Sequence, residues 1–408
     1  MTAGNRRHVV WIGPTSWDGI PGTDRPLAME LTRYAHVLWV DPPVSAVTPA
    51  RLRGEVSGGL LPRLTDISAD ITRLTPVALP FLSRPVVRTT TAPLLRAQVS
   101  WALRRLGVQP FAVIAGYLED VLGRWDGAVN VLYNTDDHVA GAELMGLSRA
   151  RIQAQEKEAA RRADVVAVVS AQLGEHWSAL GVTPVLIPNG CNAAYLQGSS
   201  SRPAVTDLPR PVIGLVGQLT ERIDLGVLTA VADAGYSLLL VGPYDPGWER
   251  DGFAALIGRP NVRYVGRVPA EEVPSYLAGI DVGLTPYADS PFNRASFPMK
   301  TLEYFSAGLP VVSTDLPGSR WLWDDLADRQ PRSADQLMML TSDPAEFVTG
   351  VRRLAGEPGS GHPHQDAATV AGLARAFAAE HTWARRADEL ATAIGLRAAR
   401  QPDAAEIS

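Results

Sequence analysis

The chain has 408 residues, 46% of them hydrophobic, with a formal net charge of −5 and a pI near 5.9. That length fits two domains rather than one, and the acidic balance excludes a broad nucleic-acid surface, which needs clustered positive charge. A single cysteine, Cys191, excludes an internal disulfide; with no basic-then-apolar leader and no apolar run near the roughly 18 residues of a membrane helix, a soluble cytoplasmic protein is expected.

Continuous Val/Ile/Leu runs predict strands at 8–13, 37–41, 71–77, 111–115, 129–133, 165–170 and 184–188, with helices at 25–34, 91–106, 149–162 and 171–180. Such runs suit strands buried on both faces, hence a parallel sheet covered by helices. The segment 84–106 is Arg-rich with apolar residues between, which suits an ordinary surface helix or a peripheral contact with an anionic membrane. Residues 192–211, rich in Ser and Pro and without periodicity, read as a linker. The pattern then restarts, with strands at 212–217, 237–242, 262–265, 281–285 and 310–314 and helices at 224–234, 270–278, 298–306 and 344–355.

This divides the chain into a Rossmann-like domain at 1–191, a linker at 192–211 and a second Rossmann-like domain at 212–380. A C-terminal helix at 381–398 crosses back to the first domain, and a disordered tail occupies 399–408. The fold class is α/β: two doubly wound domains facing across a cleft, with ligands at the strand carboxyl ends.

The stretch FPMKTLEYFSAGLPVV, 297–312, concentrates the chemistry. Lys300 is one of only two lysines, the other being Lys157. A cation in the first turn of a helix meets the positive end of the dipole and wants a counter-anion. Ser296 is the expected N-cap, Pro298 suits the first turn, and Met299, Leu302 and Phe305 take the buried stripe. Free N–H groups, the dipole and Lys300 together are the ingredients of a phosphate site; Glu303, one turn on, suits ribose hydroxyls. A plain Lys300–Glu303 surface pair accounts for the same spacing.

After the first strand, GPTSWDGIPGTDRP (13–26) offers Asp18, Gly22, Thr23 and Arg25 to an acceptor or to phosphates, although it lacks a dinucleotide fingerprint and a simple βα turn fits equally. YNTDDHVAG (133–141) puts Asp137 and His138 directly after a strand, as acid–base candidates or as a loop cap. No cysteine–histidine spacing suggests a metal site. Cys191 follows an Asn-Gly turn and has no nearby base, which makes it structural.

FPMKTLEYFSAGLPVVST is similar to the donor-binding segment of GT-B glycosyltransferases, especially retaining family 4 and the teichuronic-acid-type enzymes. ADVVAVVSAQLGEHW with VLIPNG, and VRYVGRVPAEEVPSYLAGIDVGLTPY, extend the resemblance over nearly the whole chain. The resemblance implies that Glu303 takes the ribose rather than Lys300, and that Lys300 with Phe297, Pro298 and Met299 takes the diphosphate. It places Gly266, Arg267 and Val268 against the nucleobase, and Gly217 and Arg222 near the phosphates. Two positions depart from the family: Ala295 stands where a first glutamate is common, and Gln218 where a basic residue is common, leaving Arg222 as the substitute.

The implied activity is transfer of a sugar from a nucleotide-diphosphate sugar, a UDP-sugar above all, to a hydroxyl, with retention and with neither metal nor cofactor. The implied partner is a small-molecule or glycan acceptor, for a monomer or homodimer that binds no nucleic acid. A UDP-sugar 2-epimerase and a non-catalytic nucleotide-sugar-binding protein are the alternatives on this architecture.

Overall fold

A computed structural model describes residues 6–19, 22–45, 61–80, 85–142, 148–197, 205, 207–360 and 366–397. The expected tail at 399–408 lies outside them, as do Ile20 and Pro21 of the first loop and residues 198–204 of the expected linker. No helix among the described residues is long and apolar enough to cross a membrane. The chain forms two compact units, Met1–Pro188 with Trp383–Ser408, and Asn189–Thr382.

The first unit is built on an eight-stranded sheet of β1 (His8–Ile12), β2 (His36–Val40), β3 (Arg63–Ser68), β4 (Ile71–Thr75), β5 (Pro110–Ala115), β6 (Val129–Asn134), β7 (Val165–Val168) and β8 (Val185–Leu186). Their order is β3-β4-β2-β1-β5-β6-β7-β8, parallel except for the β3–β4 pair. β1, β2, β5 and β6 are almost wholly buried, as double-sided coverage requires. The antiparallel edge strand β3, RLTDIS, is mostly exposed and polar, so it carries no apolar run to announce it. The helices are α1 (Asp24–Leu31), α2 (Pro85–Leu106), α3 (Arg149–Arg162) and α4 (Ala171–Ala179). In α2, Leu95, Val99, Ala102 and Leu103 are buried and Arg96 pairs with Asp120 at 2.7 Å, so part of its basic character is spent inside the unit.

The second unit has six parallel strands: β9 (Val212–Val216), β10 (Ser237–Val241), β11 (Val262–Gly266), β12 (Val282–Thr285), β13 (Val311–Thr314) and β14 (Met338–Thr341), in the order β11-β10-β9-β12-β13-β14. Its helices are α5 (Leu225–Asp233), α6 (Arg250–Ile257), α7 (Val273–Leu277), α8 (Pro291–Ala295), α9 (Met299–Ala307), α10 (Pro317–Arg329), α11 (Ala334–Leu337), α12 (Pro344–Ala355) and α13 (Ala367–Ala379). In both sheets the strand order reverses at the first strand, between β1 and β5 and between β9 and β12. Such points open a crevice at the strand carboxyl ends.

The unit boundary departs from the expected linker. The second unit begins at Asn189, and a 3-10 turn, Ala193–Gln197, packs on α9 and α13. Tyr195 and Leu196 are half-buried there while Ala193 and Ala194 stay exposed, so the turn is anchored by two side chains, which a solvated linker is not. Cys191 is fully buried there; its N–H donates to His381 O at 2.8 Å and its Sγ to Ala378 O at 3.3 Å. The C-terminal helix starts at 383 rather than 381: α14 (Trp383–Ala393) packs on α1, burying Trp383, Ala387, Leu390 and Ala391.

Candidate functional site

At the carboxyl edge of the second sheet, three neighbouring strands end on glycine. Gly217 N–H donates to Val241 O and Gly242 N–H to Gly266 O, each at 2.8 Å. A Cβ on Gly242 would lie 1.8 Å from Gly217 O, and one on Gly217 would lie 3.1 Å from Lys300 Cε. Two backbones and the lysine stem thus close on one another here because side chains are missing.

Tyr304 positions α9. β12 pairs with β9 only at Ile213 and Gly214, and beyond that the Val216 N–H donates to Tyr304 Oη at 2.8 Å. The phenol substitutes for the strand partner that the switch point removes. Gly283 leaves room for the ring, since a Cβ there would meet it at 2.5 Å. Burial lifts the Tyr304 phenol far above its usual range, so it stays neutral. Tyr304→Phe is expected to lower stability by about 1–3 kcal/mol, because it strands a buried N–H; urea unfolding measures it.

α9 begins at Met299, one residue later than expected, and Ser296 is not its cap. Ser296 ends α8 instead, donating to Phe292 O at 3.0 Å. The expected free N–H groups are partly engaged: Met299 N–H goes to Phe297 O at 2.9 Å and Thr301 N–H to Pro298 O at 3.0 Å. Thr301, Tyr304 and Ser306 are buried beside Leu302 and Phe305, because α13 covers the face away from the sheet. Lys300 and Glu303 remain part-exposed.

Those two side chains pair with each other, Lys300 Nζ donating to Glu303 Oε2 at 2.8 Å. The expected turn of Glu303 away from Lys300 is therefore not what this structure has: opposite charges at i,i+3 neutralise one another. Burial pulls the Lys300 pKa down. Glu303, by charge and hydrogen bond, outweighs burial with help from Tyr287 and Tyr195 and holds it above the ordinary lysine value. Tyr195 comes from the 3-10 turn read in sequence as linker; burial and then Glu303 raise its phenol.

Arg222 sits beside this pair's neighbour Tyr287. Its Nε donates to Asn293 Oδ1 at 3.0 Å, and its guanidinium carbon lies 5.6 Å from the Tyr287 ring centre and 5.0 Å from that of Phe292. Among the described residues no carboxylate pairs with it, whereas nearby Arg294 and Arg320 are paired with Asp289 and Asp315. Asn293, buried in α8, has no sequence signal of its own. Its amide donates to Arg222 O at 3.0 Å and to Ala288 O at 2.8 Å, clamping the two loops together. Arg222, Tyr287, Asn293, Phe297, Pro298 and Ser319 line one small surface recess. Gly266, Arg267 and Val268 lie at the end of β11 on the outer side of the glycine row, Arg267 exposed and Val268 partly buried.

The first unit holds the remaining candidates. Asp18 is committed to Arg73, whose Nη1 donates to it at 2.6 Å, while Arg73 Nε donates to fully buried Asp41 at 2.7 Å and Nη2 to Ser16 Oγ at 3.0 Å. This fixes the loop after β1, so Asp18 acts in its shape. Arg25 donates to Trp17 O, and burial lowers its pKa while Asp18 opposes. Thr23 precedes α1 without a side-chain cap, and Gly22 leaves space filled by Asp24 Oδ1. Asp137 caps its own turn, accepting from Ala140 N–H at 2.8 Å. The loop cap alternative thus describes Asp137. His138 differs: its Nε2 is buried with no hydrogen-bond partner, and burial lowers its pKa against the pull of Asp136 and Asp137.

Among the described residues no group of three or more His, Cys, Asp or Glu side chains is arranged to hold a metal ion.

Residues 210–357 match the family model described as glycosyl transferases group 1. Over 110 residues the chain is 37% identical to TuaH of Bacillus subtilis (strain 168), named as a teichuronic acid biosynthesis glycosyltransferase; the match spans 26% of this chain and 28% of that one. Sucrose-phosphate synthase from Thermosynechococcus elongatus superposes with a TM-score of 0.68 at 17% identity, covering 95% of this chain and 98% of its own. HepE of Anabaena, in complex with UDP and glucose, superposes with a TM-score of 0.64 at 17% identity over 96% of this chain and 100% of its own. The fold is that of the GT-B glycosyltransferases, two Rossmann-like halves in one chain.

Proposed function

We propose that this chain, whose residues 210–357 form a glycosyl transferases group 1 domain, moves a sugar from a UDP-sugar to a hydroxyl of a small-molecule or glycan acceptor. The observation that carries the reading is the part-exposed Lys300–Glu303 pair beside Gly217, with Arg222 close by and, among the described residues, unbalanced by any carboxylate. A diphosphate arriving there replaces Glu303 as the partner of Lys300, and Glu303 is released to the ribose hydroxyls. Arg222, held by Asn293, adds a fixed second cation. Uridine is assigned after the complex of HepE with UDP and glucose.

In the reaction the bond from the anomeric carbon to the diphosphate oxygen breaks, and its electron pair leaves with the diphosphate. Fixed positive charge placed where that negative charge grows lowers the barrier. Lys300 and Arg222 supply this charge, so the reaction needs no metal ion. We assign retention of configuration, with the acceptor hydroxyl entering on the face the diphosphate leaves. Ala295, buried in α8, brings a methyl group rather than a carboxylate to the sugar, so sugar choice rests on other groups.

A thermal-shift panel of nucleotide sugars tests the reading. UDP and one or more UDP-sugars are expected to raise the melting temperature, with turnover that persists in EDTA and an α-linked product from an α-linked donor by NMR. No shift with any nucleotide would overturn it.

A further inference from the structure

The 3-10 turn Ala193–Gln197 is held from several sides. Cys191, just ahead of it, bridges to Thr382; Ala194 N–H donates to Asn192 Oδ1 at 3.0 Å and Tyr195 N–H to Asn192 O at 3.1 Å. The turn packs on α9 and α13. Within it Tyr195 is half-buried, yet among the described residues its Oη makes no hydrogen bond.

α9 carries Lys300 and Glu303 on the helix that the turn packs against. Their bond at 2.8 Å uses Glu303 Oε2, and among the described residues Oε1 has no partner. After burial, Glu303 and then Lys300 act on the Tyr195 phenol, and Tyr195 acts in turn on Lys300, behind Glu303 and Tyr287. Tyr287, from the loop after β12, lies under the Arg222 guanidinium. Arg375 of α13 is directed to Ala307 O at 3.0 Å, at the far end of α9.

An idle phenol O–H and an idle carboxylate oxygen in one cluster are a donor and an acceptor without their match. While Lys300 holds Glu303, the carboxylate is neutralised and needs no second donor. Once a diphosphate draws Lys300 away, Glu303 is left part-buried without a cation, which is costly unless another donor reaches it.

We infer that Tyr195 is a positioning residue of the nucleotide site, whose O–H takes over from Lys300 as donor to Glu303 when a diphosphate binds, leaving the other carboxylate oxygen to the ribose. This role rests on the proposed function for its ligand and on the packing of the turn against α9 for its geometry. No covalent bond changes in the exchange. Lys300 Nζ moves one hydrogen bond from Glu303 to a phosphate oxygen, and Tyr195 gives one to Glu303. The carboxylate keeps a donor in both states and stays ordered for the ribose hydroxyls.

The exchange makes the two donors redundant for a ligand without phosphate, and isothermal titration of the full chain reads this. With uridine, Lys300 stays on Glu303, so Tyr195→Phe is expected to bind it within about twofold of the wild type, as Lys300→Ala does; the double variant leaves Glu303 without a donor and is expected to lose about fivefold, the cost of ordering one free side chain on binding. With UDP, Y195F alone is expected to lose about fivefold for the same reason, because Lys300 has gone to the diphosphate. A phenol that touches the nucleotide directly would weaken uridine binding in Y195F alone, and a phenol that only packs would leave UDP binding unchanged. Either result overturns the inference, as does a double variant that binds uridine normally. Y195F keeps the ring and is expected to melt within about 2 °C of the wild type; a larger drop would make the hydroxyl a structural group and overturn it.

Tyrosine labelled at the ring carbon that bears the hydroxyl follows the phenol by NMR without any nucleotide. In K300A the Tyr195 signal is expected to titrate at a higher pH than in the wild type, because the phenol then faces the charge of Glu303 alone. Coincident curves overturn the inference. If the wild type binds neither UDP nor uridine, the proposed function fails, while this titration still decides whether phenol and carboxylate meet.

Discussion

Lys300→Ala is expected to weaken binding of UDP by about 10–150-fold, the loss of a charge-assisted hydrogen bond of about 1.5–3 kcal/mol. Uridine, which lacks phosphate, is expected to bind K300A as it binds the wild type. Glu303→Ala is expected to weaken both, because the ribose is common to the two ligands. Isothermal titration with UDP and uridine across both variants separates the roles, and equal losses for uridine and UDP in K300A would remove Lys300 from the phosphate. Stability should hardly change in K300A. The pair joins two part-exposed side chains at i,i+3, and such pairs contribute about 0.2–0.5 kcal/mol. A variant that melts early with normal UDP affinity would make the pair a structural element.

Gly242→Ala is expected to be the most damaging single-methyl change at the same edge. The added carbon lies 1.8 Å from Gly217 O, a backbone atom held in the sheet, and Gly242 has φ of +140°, where side chains are rarely accommodated. A loss of about 3 kcal/mol or more follows from the clash and the strain together. Because Gly217 abuts the Lys300 stem, the displacement also reaches the proposed phosphate contact. Gly266→Ala is the control: φ is +82°, but the new carbon meets nothing nearer than Tyr264 Oη at 4.0 Å, so backbone strain of about 1–2 kcal/mol is all that is expected. Urea midpoints of the two variants make the comparison, and a G242A protein as stable as G266A would show that the glycine row yields easily.

Much of the architecture is readable because buried parallel strands announce themselves. VVWI of β1, VIGLV of β9 and SLLLV of β10 are continuous apolar runs, and all are buried. β3 escapes because an exposed edge strand needs no apolar run, and β14 because its MMLT follows α11 without a break. Within the site, the spacing of Lys300 and Glu303 is plain in the sequence, whereas their choice of each other depends on what else is near. Tyr195 is hidden in a stretch whose composition resembles a linker. Asn293 is invisible because an asparagine that clamps two loops has the same local context as one in solvent. Asp24 is hidden for the opposite reason. An aspartate in a first helical turn is ordinary, and only the three-dimensional structure shows that this one is buried, idle at one oxygen and opposed by Asp136.

The chain leaves the first unit at Pro188 and returns to it at Trp383, which sets an order of completion during synthesis. At about 5–20 residues per second, the intervening Asn189–Thr382 takes about 10–40 s to translate. All that time α1 lacks the helix that packs on it, and its apolar face, Leu27, Ala28 and Leu31, awaits Trp383, Ala387 and Leu390. The second unit is continuous in sequence and has no such wait. It is thus ready to fold while the nascent first unit still needs protection, and α1, with Asp24 at its head, is seated only when the returning helix emerges.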